Sequence, residues 1–232
     1  MGVKAVVITD VVNSSALSDK ARQALDTCLR NMFDKFNDQY DTQLTGRFGY
    51  SLGDEFQAVF ISAELTIRPV FLMHSWLASQ WESNWIRVRS AIGIGRISVE
   101  SSWISREQDG PAFYKARELI RLIHQEKRTI GISCDGVSPI IKVCNKSFDI
   151  GCRFVTSTLD HWTRAQWEVA YWKWEGKSSR EIAEILQVKP QNIYKRLKSA
   201  KFELVDSTLH FFEEILSEPS LIDAIQSARS AD

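Results

Sequence analysis

The sequence has no long hydrophobic run: no apolar stretch reaches the about 20 residues needed to span a bilayer. The opening MGVKAVVITD places an acid at its tenth position and has no signal-peptide design, so no secretory leader is expected. Cysteine is scarce and scattered. The residues Cys28, Cys134, Cys144 and Cys152 contain no C-x-x-C spacing, which argues against a zinc site and leaves four free thiols acting as small hydrophobes. Net charge is absent as well: 29 Lys plus Arg balance 29 Asp plus Glu, which excludes a polycation that coats nucleic acid by bulk charge. What is present is globular, with 44% hydrophobic and 25% charged residues over 232 positions. Disorder and collagen-like structure are excluded. The expectation is a soluble, cytoplasmic protein with no membrane partner, of one large or two ordinary domains.

The zero charge is a sum of unlike parts. Residues 1–159 hold 19 basic and 17 acidic side chains, residues 160–204 hold 9 and 6, and residues 205–232 hold 1 and 6. Between Lys189 and Lys201 there are five positive residues and no acid, a local basic face.

The first part alternates strand-like and helix-like patterns. Val3 to Thr9 is a β-branched apolar run suited to a buried strand. Asp19 to Asn37 carries Leu25, Cys28, Leu29, Met32 and Phe36 on one helical stripe, with Ser18 or Asp19 as cap. Leu44 to Ser51 and Phe56 to Ser62, joined through Gly53-Asp54, read as a hairpin. Glu64 to Trp81 reads as a helix, Ile86 to Ile97 as a long strand, Ala112 to Gln125 as a helix opened by Gly110-Pro111, and Thr129 to Cys134 as a strand. The order implies an α+β sandwich with helices on one face of a mostly antiparallel sheet.

Two acids fall where such a sheet would hold a metal. Asp10 ends the first strand and Asp54 tips the hairpin, so they meet if the first strand is central and pairs with the hairpin. Two carboxylates with water and phosphate oxygens suit Mg2+ and a bound nucleotide. Asn13, Ser14 and Ser15 would offer N–H and hydroxyl groups to phosphate, and Gly53 the close backbone approach. Asp is equally a common turn residue, which is the plain alternative. The run ITDVVNSS resembles the first metal segment of class III nucleotidyl cyclases, LGDEFQAVF their hairpin, RVRSAIGIG their next core strand, and GPAFYKAREL their later helix start. GDEFQ, AIGIG and DGPAFYKARE together resemble SatD-family bacterial proteins. The resemblance implies a ferredoxin-like, nucleotidyl cyclase-like domain over about residues 1–155, Asp10 and Asp54 as metal ligands, and Arg117 as a phosphate-neutralising arginine. It also exposes departures. Phe113 stands where a cyclase has its ribose-orienting asparagine, and Tyr50 where it has its base-selecting lysine. Cyclase catalysis by positioned cations and donors lacks both groups here.

The second part reads as a small all-α domain over residues 160–218. Thr163 to Glu175 carries Trp167, Ala170, Tyr171 and Trp174 on one helical face and ends at Gly176. Ser178 or Ser179 caps a second helix with Ile182, Ala183, Ile185 and Leu186, and Pro190 opens a third with Ile193 and Leu197 inward. This run resembles the helix-turn-helix of LuxR-type regulators and of the sigma-factor region that reads the −35 element. The resemblance implies duplex DNA as partner. Gln191 and Asn192 would face adenine edges, Lys195 a guanine or a phosphate, Lys198 and Lys201 phosphates, and Lys177 and Ser179 the backbone, with Tyr194 on the same outward DNA-binding side. A solvated basic face is the plain alternative.

After it, Val205, Leu209, Phe212 and Leu216 recur at heptad-like steps opposite Glu213, Glu214 and Glu218. The stripe either covers the protein's own core or forms a homodimer face. Residues 219–232 read as a flexible tail. The leading function is a DNA-binding transcriptional regulator with a degenerate cyclase-like sensor or oligomerisation domain. The alternatives are a metal-dependent nucleotide enzyme with a helix-turn-helix targeting module, and a non-catalytic interaction protein.

Overall fold

The computed structural model describes residues 2–80, 86–99 and 103–228. The elements follow the order β1 (Lys4–Val11), α1 (Asp19–Gln39), β2 (Leu44–Leu52), β3 (Glu55–Phe60), α2 (Ile67–Gln80), β4 (Val88–Gly95), α3 (Pro111–Gln125) and β5 (Ile130–Cys134). Six further helices complete the chain: α4 (Pro139–Leu159), α5 (Arg164–Trp174), α6 (Ser179–Ile185), α7 (Pro190–Ser199), α8 (Phe202–Ser217) and α9 (Pro219–Gln226). The expected end of the second helix at Trp81 lies outside the described residues. Together these form a mixed α+β structure.

The five strands form one sheet in the order β2-β3-β1-β4-β5, antiparallel except for the β4–β5 pair. β1 is central because its apolar run buries both faces, a sequence suited to the middle of a sheet. Ala5 and Val7 point to one face and Val6 and Ile8 to the other, and all four are buried. Helices therefore cover both faces, not one as the sequence order suggested. α1, α2 and α4 lie on the side of Ala5 and Val7, and α3 lies on the side of Val6 and Ile8. Gly93 of β4 makes the second layer possible. A Cβ at Gly93 would stand 2.2 Å from the Ala112 carbonyl oxygen and 2.4 Å from the Ala116 nitrogen, so α3 rests directly on strand backbone.

Residues 139–159, to which the sequence pattern assigned no element, form α4. Ser138 caps it, accepting from the Ile141 N–H at 3.4 Å, and Pro139 opens it in the position a helix start favours. Its stripe of Ile141, Phe148, Cys152, Val155 and Leu159 is buried. A first-domain boundary at residue 155 falls inside this helix.

The stripe on α8 is resolved in favour of the protein's own core. Val205, Leu209, Phe212 and Leu216 are buried within the chain, with Phe212 edge-on to Phe148 at 5.6 Å. These residues do not form a free dimer face. The acids opposite are partly committed as well: Arg68 of α2 pairs with Asp206 and, at 3.0 Å, with Glu213. The expected flexible tail is also corrected. From Pro219 to Gln226 the chain is helix α9, with Leu221 and Ile225 buried, because its apolar spacing finds a groove beside α4 and α8. Residues 229–232 lie outside the described residues.

One buried cluster runs from the sheet to α9 and includes Phe56, Phe71, Phe148, Trp162, Trp167, Phe212 and Leu221. α5 belongs to it, with Trp174 against Phe71 of α2 at 5.8 Å. Another cluster, with Val6, Ile8, Phe113 and Ala116, lies between the sheet and α3, and a small one of Val169, Ile182, Ala183 and Ile193 ties α5, α6 and α7 together.

Candidate functional site

At the sheet edge, the pairing sets the geometry. Thr9 faces Phe56 across β1–β3, so the next residue, Asp10, reaches the level of the β2–β3 turn. That turn is Gly53-Asp54, closing Leu52 against Glu55. Gly53 has φ +63, a left-handed conformation that glycine adopts without steric cost. The structure thus brings Asp10 and Asp54 together, as the hairpin reading required. Burial and the Asp54 charge raise the Asp10 pKa, while Arg89 and His124 oppose the rise.

Both carboxylates are already engaged. Arg89 faces Asp10 across β1–β4 and donates to its Oδ2 at 3.3 Å, and Ser14 Oγ donates to Asp54 Oδ2. Asn13 is exposed at φ 59 and opens the short 3-10 turn Ser14–Ala16, where Ser15 is also exposed. Glu55 accepts from Ser51 Oγ at 2.6 Å. Among the described residues no cluster of three or more His, Cys, Asp or Glu side chains forms a metal-ligand set. Each of these contacts uses one oxygen of its carboxylate, so a cation between Asp10 and Asp54 would share them with Arg89 and Ser14.

The other sheet-side residues take separate places. Arg117 is exposed midway along α3, and it is not among the charges acting on Asp10. Phe113, in the first turn of α3, is fully buried between that helix and the sheet. Tyr50 donates its hydroxyl to Asp26 Oδ1 at 2.7 Å, and burial pushes its phenol pKa upward. Arg89 and His124 are the residues that sequence reasoning missed. Arg89 announces itself only once β4 is known to lie beside β1.

The helical part presents a second candidate surface. The capping pair Thr163 and Gln166 starts α5, and Gly176, at φ +81, ends it. Ser178, not Ser179, caps α6: its Oγ accepts from the Glu181 N–H at 3.3 Å while Glu181 accepts from the Ser178 N–H at 2.8 Å. Between α6 and α7, Gln187 takes φ 51 and the Val188 N–H donates to the Ala183 carbonyl at 3.0 Å. α7 then lies with Ile193 buried against Val169, Ile182 and Ala183. Its opposite side is open. Gln191, Asn192, Tyr194, Lys195 and Lys198 are exposed, as is Lys201 in the turn to α8. Lys177 lies 3.8 Å from Glu181 and Ser179 is half-buried, so these two sit beside the basic row and not on it.

The SatD family model matches residues 4–209, which spans the sheet and the helices through the first half of α8. No curated protein matches the chain. Among solved structures, that of a bacterial light-regulated adenylyl cyclase aligns over 57% of this chain and 76% of its own, at 17% identity and a TM-score of 0.41. A second structure of a bacterial light-regulated adenylyl cyclase aligns over 57% of this chain and 43% of its own, at 14% identity and a TM-score of 0.38.

Proposed function

The chain belongs to the SatD family, and on that premise we propose that it is a DNA-binding transcriptional regulator that reads duplex DNA with α7. The observation that carries the reading is the two-sided build of α7. One side is anchored by buried Ile193, and the other exposes Gln191, Asn192, Tyr194, Lys195 and Lys198 with no acid anywhere along the helix. In a helix-turn-helix the first residues of the second helix meet base edges in the major groove. Gln191 and Asn192 occupy that position here, and their side-chain amides match the donor–acceptor edge of adenine. Lys195, Lys198 and Lys201 follow at the spacing that meets phosphates.

In this reading the sheet part is a degenerate nucleotidyl cyclase-like scaffold that senses a ligand or mediates assembly. Its resemblance in ITDVVNSS and LGDEFQAVF supports the ancestry. Buried Phe113, the engaged Tyr50 and the Arg89–Asp10 pair argue against cyclase catalysis. A homodimer, if DNA half-sites require one, uses a surface other than the buried α8 stripe.

The test is fluorescence anisotropy of the full chain with random and operator-selected duplexes across a salt series. The affinity is expected to fall with salt at a log–log slope of about −0.9 per phosphate contact. Lys195→Ala and Lys198→Ala should each weaken binding to all sequences and reduce the slope by about 1, whereas Asn192→Ala should relax the preferred sequence at a cost of about 1–3 kcal/mol. Absence of salt-sensitive binding at low ionic strength sinks the reading.

A further inference from the structure

Helices α4 and α8 pack closely and run in opposite directions. Phe148 of α4 meets Phe212 of α8, and Gly151, one turn on, approaches Phe212 and Thr208, one turn back. Burial and then the Glu218 charge raise the Cys144 thiol pKa, so the start of α4 lies by the end of α8. The buried stripes of both helices join the main core. Their outer sides break the usual polar pattern. On α4, Val143, Ile150 and half-buried Phe154 share one side with Ser147. On α8, Leu204, Phe211 and half-buried Ile215 share one side with Thr208. Both sets follow the same i, i+4, i+7, i+11 spacing. On each helix the set lies next to the side that touches the other helix, so the two strips flank one groove. Val143, Ile150, Leu204 and Phe211 are 47% to 68% exposed. Single exposed apolar side chains are ordinary, but four large ones on one two-helix face mark an interaction surface.

The two edges of this face carry opposite charge. Beyond the strip on α4, away from α8, stand Lys142 and Lys146. Beyond the strip on α8, away from α4, stand Glu203 and Glu214. All four are exposed, and none forms an ion pair among the described residues. Nearby Arg153 and Glu213 are already held by Asp149 and Arg68. A face with one basic and one acidic edge is complementary to itself. A second copy turned by 180° about an axis along the helices sets each α4 on the partner's α8, so basic edge meets acidic edge on both sides. A turn about an axis across the helices stacks basic on basic and acidic on acidic, which is repulsive. The first turn also keeps each residue's height along the axis. Phe148 is level with Phe212 and the helices are antiparallel, so Lys146, two residues back, is level with Glu214, two residues on. In the pair of copies, Lys146 comes opposite the partner's Glu214.

We propose that the outer face of α4 and α8 binds a second copy of this chain, with Val143, Ile150, Leu204 and Phe211 at the centre of the interface and Lys146 against the partner's Glu214 at each edge. The contact is isologous, the same patch on both copies, as a closed twofold dimer requires. It uses the side of α8 opposite to solvent-shielded Leu209 and Leu216, which stay in the chain's own core. The inference rests on the two helix faces and stands independently of the DNA reading.

The experiment is sedimentation equilibrium of the full chain at low salt, from about 1 to about 200 µM. A monomer–dimer equilibrium is expected, with a dissociation constant of about 1–100 µM, the strength of a small transient interface. Ile150→Glu and Phe211→Glu each place a charge at the centre and should weaken the dimer at least about tenfold. Both positions are exposed, so the far-ultraviolet spectrum should not change. Lys146→Glu and Glu214→Lys should each weaken the dimer about fivefold, because every dimer holds two copies of the pair. The double variant exchanges the two charges and should recover the unaltered affinity to within about twofold. Recovery is a result that a misfolded variant cannot give. A chain that stays monomeric to about 200 µM leaves the face to some other protein and overturns the proposal. A dimer that survives both apolar variants overturns it, as do charge variants that have no effect or whose combination does not recover. No DNA is present, so failure here leaves the DNA reading standing, and the reverse holds for the anisotropy experiment.

Discussion

His74 shows most directly how one residue's surroundings set its chemistry. It is buried between α2 and the sheet, bonded through Nε2 to Ser90 Oγ at 2.8 Å, and Ser90 in turn meets Thr9 Oγ1 at 2.8 Å. Burial disfavours the imidazolium and pushes its pKa down to about 3 from an ordinary 6.5. The folded state therefore binds fewer protons than the unfolded chain. Stability from this group is full above pH 6.5 and is lost as pH falls from there toward 3, by about 2 kcal/mol between pH 6.5 and 5. Urea unfolding of wild type and His74→Gln across that range measures it. The variant should lose about 2 kcal/mol of the acid sensitivity, and parallel curves would refute the assignment. The same scale marks how much of the site was legible. Asp10 and Asp54 were readable because a strand end and a hairpin tip come together once two short strands pair. Arg89 was not, because its partner sits 79 positions away and only the β1–β4 register reveals it. The His74–Ser90 contact is hidden for the same reason.

At the scale of elements, local chemistry foretold most starts and stops. Ser18 caps α1, Pro111 opens α3, Gly176 ends α5 and Pro190 opens α7, each where the sequence placed a signal. α4 escaped despite its Ser138-Pro139 start, because its apolar residues are interrupted by exposed Val143 and Ile150, which blur the stripe. The second helical layer escaped because sandwich sidedness depends on which strand carries a bare backbone, here at Gly93. Several turns are built against local preference, at Asn13, Lys127, Gln187 and Lys201. Gln187 holds φ 51 after α6, where helices commonly use glycine. Gln187→Gly should remove that strain, partly offset by the freer unfolded chain, and stabilise the protein by up to about 1 kcal/mol. A thermal melt checks it, and an unchanged or lower midpoint would count against the strained turn. The opposite result is expected for Gly93→Ala, whose methyl would meet α3 backbone. A loss in the upper range of single substitutions, about 3 kcal/mol or more, should appear in the urea midpoint.

The whole molecule has a large core on one face of the sheet, a smaller one under α3 on the other, and a small outlying cluster under α7. Trp162 makes the join explicit. Its indole N–H donates to the Ala200 carbonyl at 2.8 Å while its ring stacks near Trp174 and Phe202. Trp174 in turn donates to Asp206, which also holds Arg68 of α2. The sequence sets Trp162, Trp167, Trp172 and Trp174 close together but does not show that α2 receives Trp174. A chain cut after residue 218 loses the burial of Leu221 and Ile225, about 3–6 kcal/mol at about 1.5–3 kcal/mol for each side chain. Its urea midpoint should drop in a single transition shared by tryptophan fluorescence and far-ultraviolet dichroism. Separate transitions for the two probes would show that the sheet and the helices unfold as independent units. The position of α8 and α9 also governs how the protein comes into being. Synthesis releases a chain from its N-terminus at about 5–20 residues per second. Phe148 and Gly151 of α4 wait for Phe212, and α4 waits for α9. Until α8 and α9 have been made, the sheet has its strands but an apolar flank stands open to water. The folding step that seals it therefore waits on synthesis of α8 and α9, and a pause in reading those codons would prolong the nascent chain's exposure to chaperones and proteases.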